Sequence, residues 1–111
     1  MTSRQRMRAP LLAAAMAAFA LGHAQAASPD AVKLVNQQCQ QCHEIKGIGD
    51  FGNVGPSLVG LKERFPDRKD VAEIIYDETK RNPLTAMPPF GRNLILDKQQ
   101  IDTIVDYLYN Q

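Results

Sequence analysis

The stretch CQQCH, from Cys39 to His43, places two thiols three positions apart and follows the second directly with an imidazole. Thiolate sulfur and imidazole nitrogen are ligands that soft and borderline metal ions prefer, and a thiol can also form a covalent bond. The chain has two cysteines in all, and both lie in this stretch. We therefore expect the chemistry of the protein to be centred here, and three interpretations compete.

A dithiol centre and a zinc site are the first two interpretations. A redox pair C-x-x-C is expected within a βαβ pattern, which the sequence does not show, and a disulfide across two residues closes too short a loop to stabilise much. A structural zinc ion takes four nitrogen or sulfur ligands, whereas Cys39, Cys42 and His43 supply three. Zinc would need a carboxylate from elsewhere in the chain.

Covalent haem attachment is the third interpretation, and the motif fits it best. In C-x-x-C-H the two thiols add to the vinyl groups of the porphyrin, and the imidazole that follows becomes the fifth ligand of the iron. Positions i and i+3 at the end of a helix share a face, so both sulfurs can reach one edge of the macrocycle. We predict one haem c, attached at Cys39 and Cys42, with His43 as an iron ligand.

A sixth iron ligand is predicted in the segment NPLTAMPPFG, residues 82–91. Its prolines exclude a regular helix, so Met87 lies in a stiff loop and not on a periodic helix face, where methionine usually fills gaps in the core. Imidazole and thioether ligation raises the reduction potential, and iron with six ligands has no open position for a substrate. His43 and Met87 therefore predict electron transfer, without a catalytic residue in this chain.

The first 26 residues have the pattern of an export signal. Three arginines precede the apolar run LLAAAMAAFAL, and Ala24-Gln25-Ala26 forms a small-residue cleavage site. Eleven apolar residues are too few to cross a bilayer, which takes about 20. We predict a signal over residues 1–26, cleavage before Ala27, and a periplasmic domain over residues 27–111 without a membrane span; a retained anchor stays open.

Removal of the signal changes the charge balance. All 12 acidic residues but only 10 of the 13 basic ones lie after residue 26, which leaves a net charge of 10 minus 12, or −2. This charge argues against nucleic-acid binding. His43 and Met87 are then the only histidine and the only methionine.

Two helices are predicted before the Met87 loop. Ser28 can cap the first, with Pro29 at its first position, and this helix leads into Cys39. Asp70 and Glu73 resemble a capping box that opens the second helix, which ends at Asn82-Pro83.

A third helix is predicted at the end of the sequence. Asp97 caps it with Gln100 three positions on. Its apolar residues follow the i, i+3, i+4, i+7 pattern of a buried helix face and are Ile101, Ile104, Val105 and Leu108. With no strand-rich region, the sequence predicts one all-α domain folded around the haem.

These features together resemble a class I c-type cytochrome. The resemblance rests on the export signal, the C-x-x-C-H motif, the Gly-Pro-x-Leu stretch at residues 55–58, the late methionine loop and the final amphipathic helix. The segment NPLTAMPPFG, followed by NLILDKQQIDTIVDYL, is similar to the SoxX family, the monohaem subunit of the SoxAX complex of sulfur oxidation. The segments FPDR and IYDETKRN fit the same family.

The resemblance implies roles for single residues. Cys39 and Cys42 would be the thioether attachments, and His43 and Met87 the proximal and distal iron ligands. The carbonyl of Pro56, in the Gly-Pro-x-Leu stretch, would accept a hydrogen bond from the proximal imidazole. The implied fold has three main helices around a covalently attached haem.

The same resemblance implies a function. The chain would be the non-catalytic, electron-transferring subunit of an L-cysteine S-thiosulfotransferase, which joins thiosulfate to a cysteine of a carrier protein. Its partners would be a larger, haem-containing SoxA-like subunit and a downstream cytochrome that accepts electrons. A freestanding periplasmic monohaem carrier is the alternative, and a haem-free zinc or dithiol module is the third.

Overall fold

The computed structural model describes residues 28–48 and 54–111. The predicted export signal and its cleavage site lie outside these residues. The helices are α1 (Pro29–Gln38), α2 (Leu61–Arg64), α3 (Arg68–Asp77) and α4 (Lys98–Tyr109), and a short 3₁₀ helix (Glu78–Lys80) directly follows α3. No strand is present in the described part of the chain, which confirms the all-α prediction. The four-residue α2 was not predicted.

Helix α1 begins as predicted. The hydroxyl of Ser28 accepts a hydrogen bond from the Ala31 amide at 3.1 Å, and Pro29 takes the first helical position, where its missing N–H costs nothing. Ala31 and Val35 are buried. Because α1 ends at Gln38, its C-cap is Cys39, so the helix delivers the first thiol at its end.

Helix α3 begins earlier and ends earlier than predicted. Its N-cap is Asp67, whose side chain accepts from the Lys69 amide at 2.9 Å, so the expected capping box at Asp70 and Glu73 is wrong. Asp67 has the extended backbone of an N-cap, with φ −87° and ψ 114°. Its carboxylate therefore accepts a hydrogen bond from a free amide in the first turn of the helix. At the other end Asp77 breaks the α-helix well before Asn82 and caps the 3₁₀ helix instead.

Helix α4 matches its prediction and is central to the core. Asp97 and Gln100 form a reciprocal capping box, with hydrogen bonds of 2.8 and 2.9 Å. The helix packs against α1, α2 and α3. Its four predicted core residues are all buried, and so is Tyr107. Phe90 and Leu96, from the segment before α4, complete this side of the core.

Two polar contacts tie the C-terminal part of α4 to the rest of the domain. Arg68 forms an exposed ion pair with Asp106 at 2.6 Å, and the hydroxyl of Tyr109 donates to the carbonyl of Phe65. Among the residues described, no helix is long and apolar enough to cross a membrane.

Candidate functional site

The C-x-x-C-H motif forms one turn that continues from the end of α1. The Cys39 amide donates to the carbonyl of Val35 at 2.9 Å, and the Cys39 carbonyl accepts from the amides of Cys42 (3.1 Å) and His43 (3.0 Å). Both cysteines are half-buried free thiols. The turn therefore holds the two sulfurs and the imidazole in one short, hydrogen-bonded unit.

A second segment lies along this turn. The Gly55 amide donates to the Cys42 carbonyl at 2.7 Å, and the Leu58 amide donates to the Glu44 carbonyl at 2.9 Å. Between these two contacts, Nδ1 of His43 lies 2.6 Å from the carbonyl oxygen of Pro56. A carbonyl can only accept, so this contact assigns the proton to Nδ1 and leaves Nε2 as a free donor atom for a metal.

Gly55 lets the imidazole approach the backbone. A Cβ atom at this position would lie 2.3 Å from Cε1 and 2.7 Å from Nδ1 of His43, far inside the usual carbon contact of about 3.5–4.0 Å. The backbone of Gly55 does not adopt a positive φ, so the glycine is needed for space and not for conformation. The ring of His43 is thus held between the Gly55 backbone and the Pro56 carbonyl.

The environment of Cys39 argues against a dithiol redox centre. Burial, followed by the neighbouring Cys42 thiol, raises the pKa of Cys39 to about 12. Reactive redox cysteines depend on a lowered thiol pKa, because the thiolate is the nucleophile.

The donor groups can be compared with the requirements of a zinc site. In residues 28–48 and 54–111, no group of three or more His, Cys, Asp and Glu side chains is arranged to hold a metal ion. Structural zinc needs four such ligands.

Met87 lies in the loop that joins the 3₁₀ helix to α4. Its amide donates to the hydroxyl of Thr85 at 3.1 Å, and its half-buried side chain packs against the same hydrophobic core as Cys39. Among the described residues no hydrogen bond joins Met87 to Cys39, Cys42, His43 or Pro56. Cys39, Cys42, His43 and Pro56 are joined by hydrogen bonds, whereas Met87 is connected with them through packing on the core.

Sequence reasoning missed the residues that hold this loop closed. Gly91 packs under the ring of Tyr76, and Arg92 forms an ion pair with the buried carboxylate of Asp77 at 2.9 Å. Arg92 follows the NPLTAMPPFG segment directly, but its partner lies fifteen positions earlier, and no local pattern indicates that pairing.

The residues present fit a covalently attached haem. Cys39 and Cys42 would hold the porphyrin, and the free Nε2 of His43 would bind the iron, because Nδ1 is already occupied by the Pro56 carbonyl. Met87 offers a thioether, which is a suitable ligand for haem iron. These roles are assigned from the chemistry and position of the groups.

A small helical domain with a C-x-x-C-H turn, an oriented imidazole and a late methionine loop defines a c-type cytochrome. A family model described as "Cytochrome C oxidase, cbb3-type, subunit III" matches residues 26–108. The chain belongs to this family, and its cofactor is accordingly haem c.

Two proteins similar to this chain carry the domain within longer sequences. The fructose dehydrogenase cytochrome subunit of Gluconobacter japonicus is 34% identical over 86 residues, which cover 71% of this chain and 18% of that protein. An uncharacterized lipoprotein of Aquifex aeolicus (strain VF5) is 35% identical over 77 residues, which cover 65% of this chain and 35% of that protein. The chain thus spans about a third or less of the length of these relatives.

Proposed function

We propose that this c-type cytochrome acts as a SoxX-like subunit that carries electrons away from a SoxAX-type, thiosulfate-oxidising complex. The class of protein, an electron-transferring monohaem cytochrome, follows from the family. The finer assignment is carried by one observation, the segment NPLTAMPPFG at residues 82–91, which is similar to the SoxX family and forms the methionine loop of this fold.

The C-x-x-C-H turn supplies one side of the proposed haem site. Haem c provides an iron that exchanges a single electron. Cys39 and Cys42 tether it, and His43 binds the iron through Nε2, oriented by its hydrogen bond to the carbonyl of Pro56. That hydrogen bond fixes the tautomer and the orientation of the ring.

Met87 supplies the other side. The Thr85 hydroxyl holds its amide at 3.1 Å, and the two prolines that follow limit the backbone to a narrow range of φ. With the His43 nitrogen and the Met87 sulfur as its ligands, the haem would exchange an electron without binding a substrate.

The sulfur chemistry is accordingly assigned to a partner. Attachment of the haem uses both thiols of the chain, so no cysteine of its own stays available as a nucleophile. We propose a larger, haem-containing SoxA-like subunit as the catalytic partner and a downstream cytochrome as the electron acceptor, all in the periplasm. In this assembly the chain is the electron-transfer subunit of an L-cysteine S-thiosulfotransferase.

A second candidate is an electron carrier that serves a different enzyme. The similarity to the fructose dehydrogenase cytochrome subunit favours it, because that relative is named as the cytochrome subunit of a dehydrogenase. A freestanding monohaem carrier belongs to the same class of function, and it would dock through small interfaces below about 1,200 Å².

Co-purification separates these candidates. The full chain is expressed with a haem c maturation system in a periplasm, alone and together with a SoxA-like subunit, and is purified through a tag on the chain. We expect a stable complex in which haem stays on the chain after denaturation. A double Cys39→Ser, Cys42→Ser variant is the control and should retain no haem in the denaturing gel.

Each outcome has a separate meaning. A holo chain that elutes alone beside an abundant SoxA-like subunit contradicts the SoxX assignment but not the cytochrome class. A holo complex that supplies no electrons to a cytochrome acceptor during thiosulfate turnover contradicts the proposed role of the haem.

A further inference from the structure

The Met87 loop leaves the fold and returns to it at one point, the end of α3. The carbonyl of Tyr76 accepts hydrogen bonds from the amides of both Gly91 and Arg92, each at 3.1 Å. The ring of Tyr76 lies directly against Gly91, where a Cβ atom would come within 2.0 Å of the ring. The backbone on the far side of the loop is thus held on the last turn of α3.

Side chains also hold the loop at the end of α3. Arg92 donates through Nη1 to Oδ2 of Asp77 at 2.9 Å and to the hydroxyl of Thr79 at 3.1 Å. Oδ1 of Asp77 accepts from the Thr79 hydroxyl at 2.5 Å and from its amide at 3.2 Å. We call Asp77, Thr79 and Arg92 the clasp. Both carboxylate oxygens of Asp77 are therefore hydrogen-bonded, Oδ1 to Thr79 and Oδ2 to Arg92.

The clasp is the place where a charged group is buried. The side chain of Asp77 is 2% exposed, and it is the one buried charged residue among those that the structure describes. A buried carboxylate is tolerated only when it is paired and hydrogen-bonded. Loss of Arg92 would leave this charge without its cation, so the closed arrangement is favoured strongly over one in which the loop has moved away.

The loop itself has few other constraints. From Asn82 to Pro88, its hydrogen bonds remain within residues 78–92 as far as the structure describes the chain. Its further contacts with the domain include the half-buried side chain of Met87, which packs against the core, the buried ring of Phe90, and the cation–π contact of Arg81 with Phe65 at 5.5 Å. The position of Met87 therefore depends on its packing against the core and on how the loop is closed.

We propose that the clasp is a positioning device that holds the Met87 thioether at the iron. This inference rests on the proposed function, since it takes Met87 as the distal ligand. Asp77, Thr79 and Arg92 do not touch the haem site; they set the fraction of time for which the loop is closed. Opening of the clasp releases Met87 and leaves the distal position free for another ligand.

An added ligand measures this opening directly. Imidazole binds ferric haem iron only when Met87 has left, so its apparent affinity is proportional to the fraction of open molecules. Because hydrogen bonds to charged groups are the strong ones, Arg92→Gln is expected to raise the affinity of the ferric holo protein for imidazole by about tenfold or more. Arg92→Lys, which keeps the charge, should restore part of the wild-type value.

Arg68→Gln is a matched control. Arg68 also forms an ion pair from a half-exposed side chain, 49% exposed against 50% for Arg92, but its partner is the exposed Asp106 on α4. The variant removes the same charge at the start of α3, away from the loop closure at the end of that helix. We expect an imidazole affinity within about twofold of the wild type, because exposed pairs contribute little.

The reference variant Met87→Ala separates the two ways in which the idea can fail. If Met87→Ala leaves the imidazole affinity unchanged, methionine is not the ligand and the proposed haem coordination is wrong. If Met87→Ala raises it but Arg92→Gln does not, the ligand assignment holds and the clasp is overturned. An equal rise in Arg92→Gln and Arg68→Gln also overturns the clasp, because the effect is then one of general stability.

Hydrogen exchange gives a readout that does not depend on the iron. The amides of Met87 and Gly91 are both hydrogen-bonded in the closed loop, to Thr85 and Tyr76. In Arg92→Gln these amides should exchange about tenfold faster or more, while Ile104, in the buried centre of α4, keeps its protection. Unchanged exchange at Met87 and Gly91 would contradict the clasp.

Discussion

Replacement of Gly55 by alanine is expected to displace the proximal imidazole. The new methyl group would lie 2.3 Å from Cε1 of His43, so the ring must retreat by more than about 1 Å to reach an ordinary contact. That movement breaks the 2.6 Å hydrogen bond from Nδ1 to the Pro56 carbonyl. Overpacking costs about 1–3 kcal/mol and the lost hydrogen bond about 0.5–1.5 kcal/mol. The free energy of unfolding should fall by roughly 1.5–4.5 kcal/mol.

The assay is guanidinium unfolding of the holo protein, together with its reduction potential. Gly47→Ala is the control, because no atom lies within 4 Å of a Cβ there and φ is +79°. It should cost about 1–2 kcal/mol of backbone strain and leave the potential unchanged, whereas Gly55→Ala should change both. If Gly55→Ala has wild-type stability and potential, the imidazole does not lie against this glycine and the reasoning fails.

Three further predictions concern the loop and the helices. Met87→Ala should retain covalent haem but have a lower reduction potential, because the thioether raises it; an unchanged potential and absorption spectrum would remove Met87 as a ligand. The hydrogen bond from the Thr79 hydroxyl, and then the charge of Arg92, lower the pKa of Asp77 from its ordinary value of 3.8. The ionised carboxylate therefore stabilises the fold above pH 3.8. This stability is lost as the pH falls through the lower pKa of the folded state. In Asp77→Asn the free energy of unfolding should therefore depend less on pH in the acid range. An unaltered pH profile of the unfolding free energy would contradict this role of Asp77. Asp97→Ala removes the capping box of α4 and should cost about 1 kcal/mol in chemical unfolding; a change below about 0.3 kcal/mol would show that the cap contributes little.

The sequence predicted a helix well where its capping and apolar pattern extended over many residues. The capping box at Asp97 and the apolar spacing of α4 act within a dozen residues, and both are observed. Helix α2 was missed because four residues carry no periodicity. The start of α3 was misplaced because Asp67 and Asp70 are both acceptable caps by residue type, and only the backbone shows which one accepts the amide.

In the candidate site, too, some residues were predicted from the sequence and others were not. Cys39, Cys42 and His43 were predicted as the attachment motif because covalent haem attachment uses those residue types within five positions. Met87 followed from its place in a proline-rich loop. The roles of Thr85 and of the clasp had no signal in the sequence, because threonine, aspartate and arginine occur on most surfaces and nothing local marks a particular pair.

Neighbouring residues were therefore enough to predict the kind of cofactor, the motif expected to attach it and the helix that anchors the core. Only the tertiary structure decided how the parts are oriented. It brings the carbonyl of Pro56 onto His43, thirteen positions away, makes Gly55 the residue that leaves room for the ring, and closes the Met87 loop with Arg92 on Asp77. Contacts between distant residues depend on how loops pack on the core, and this packing is settled by the whole chain together.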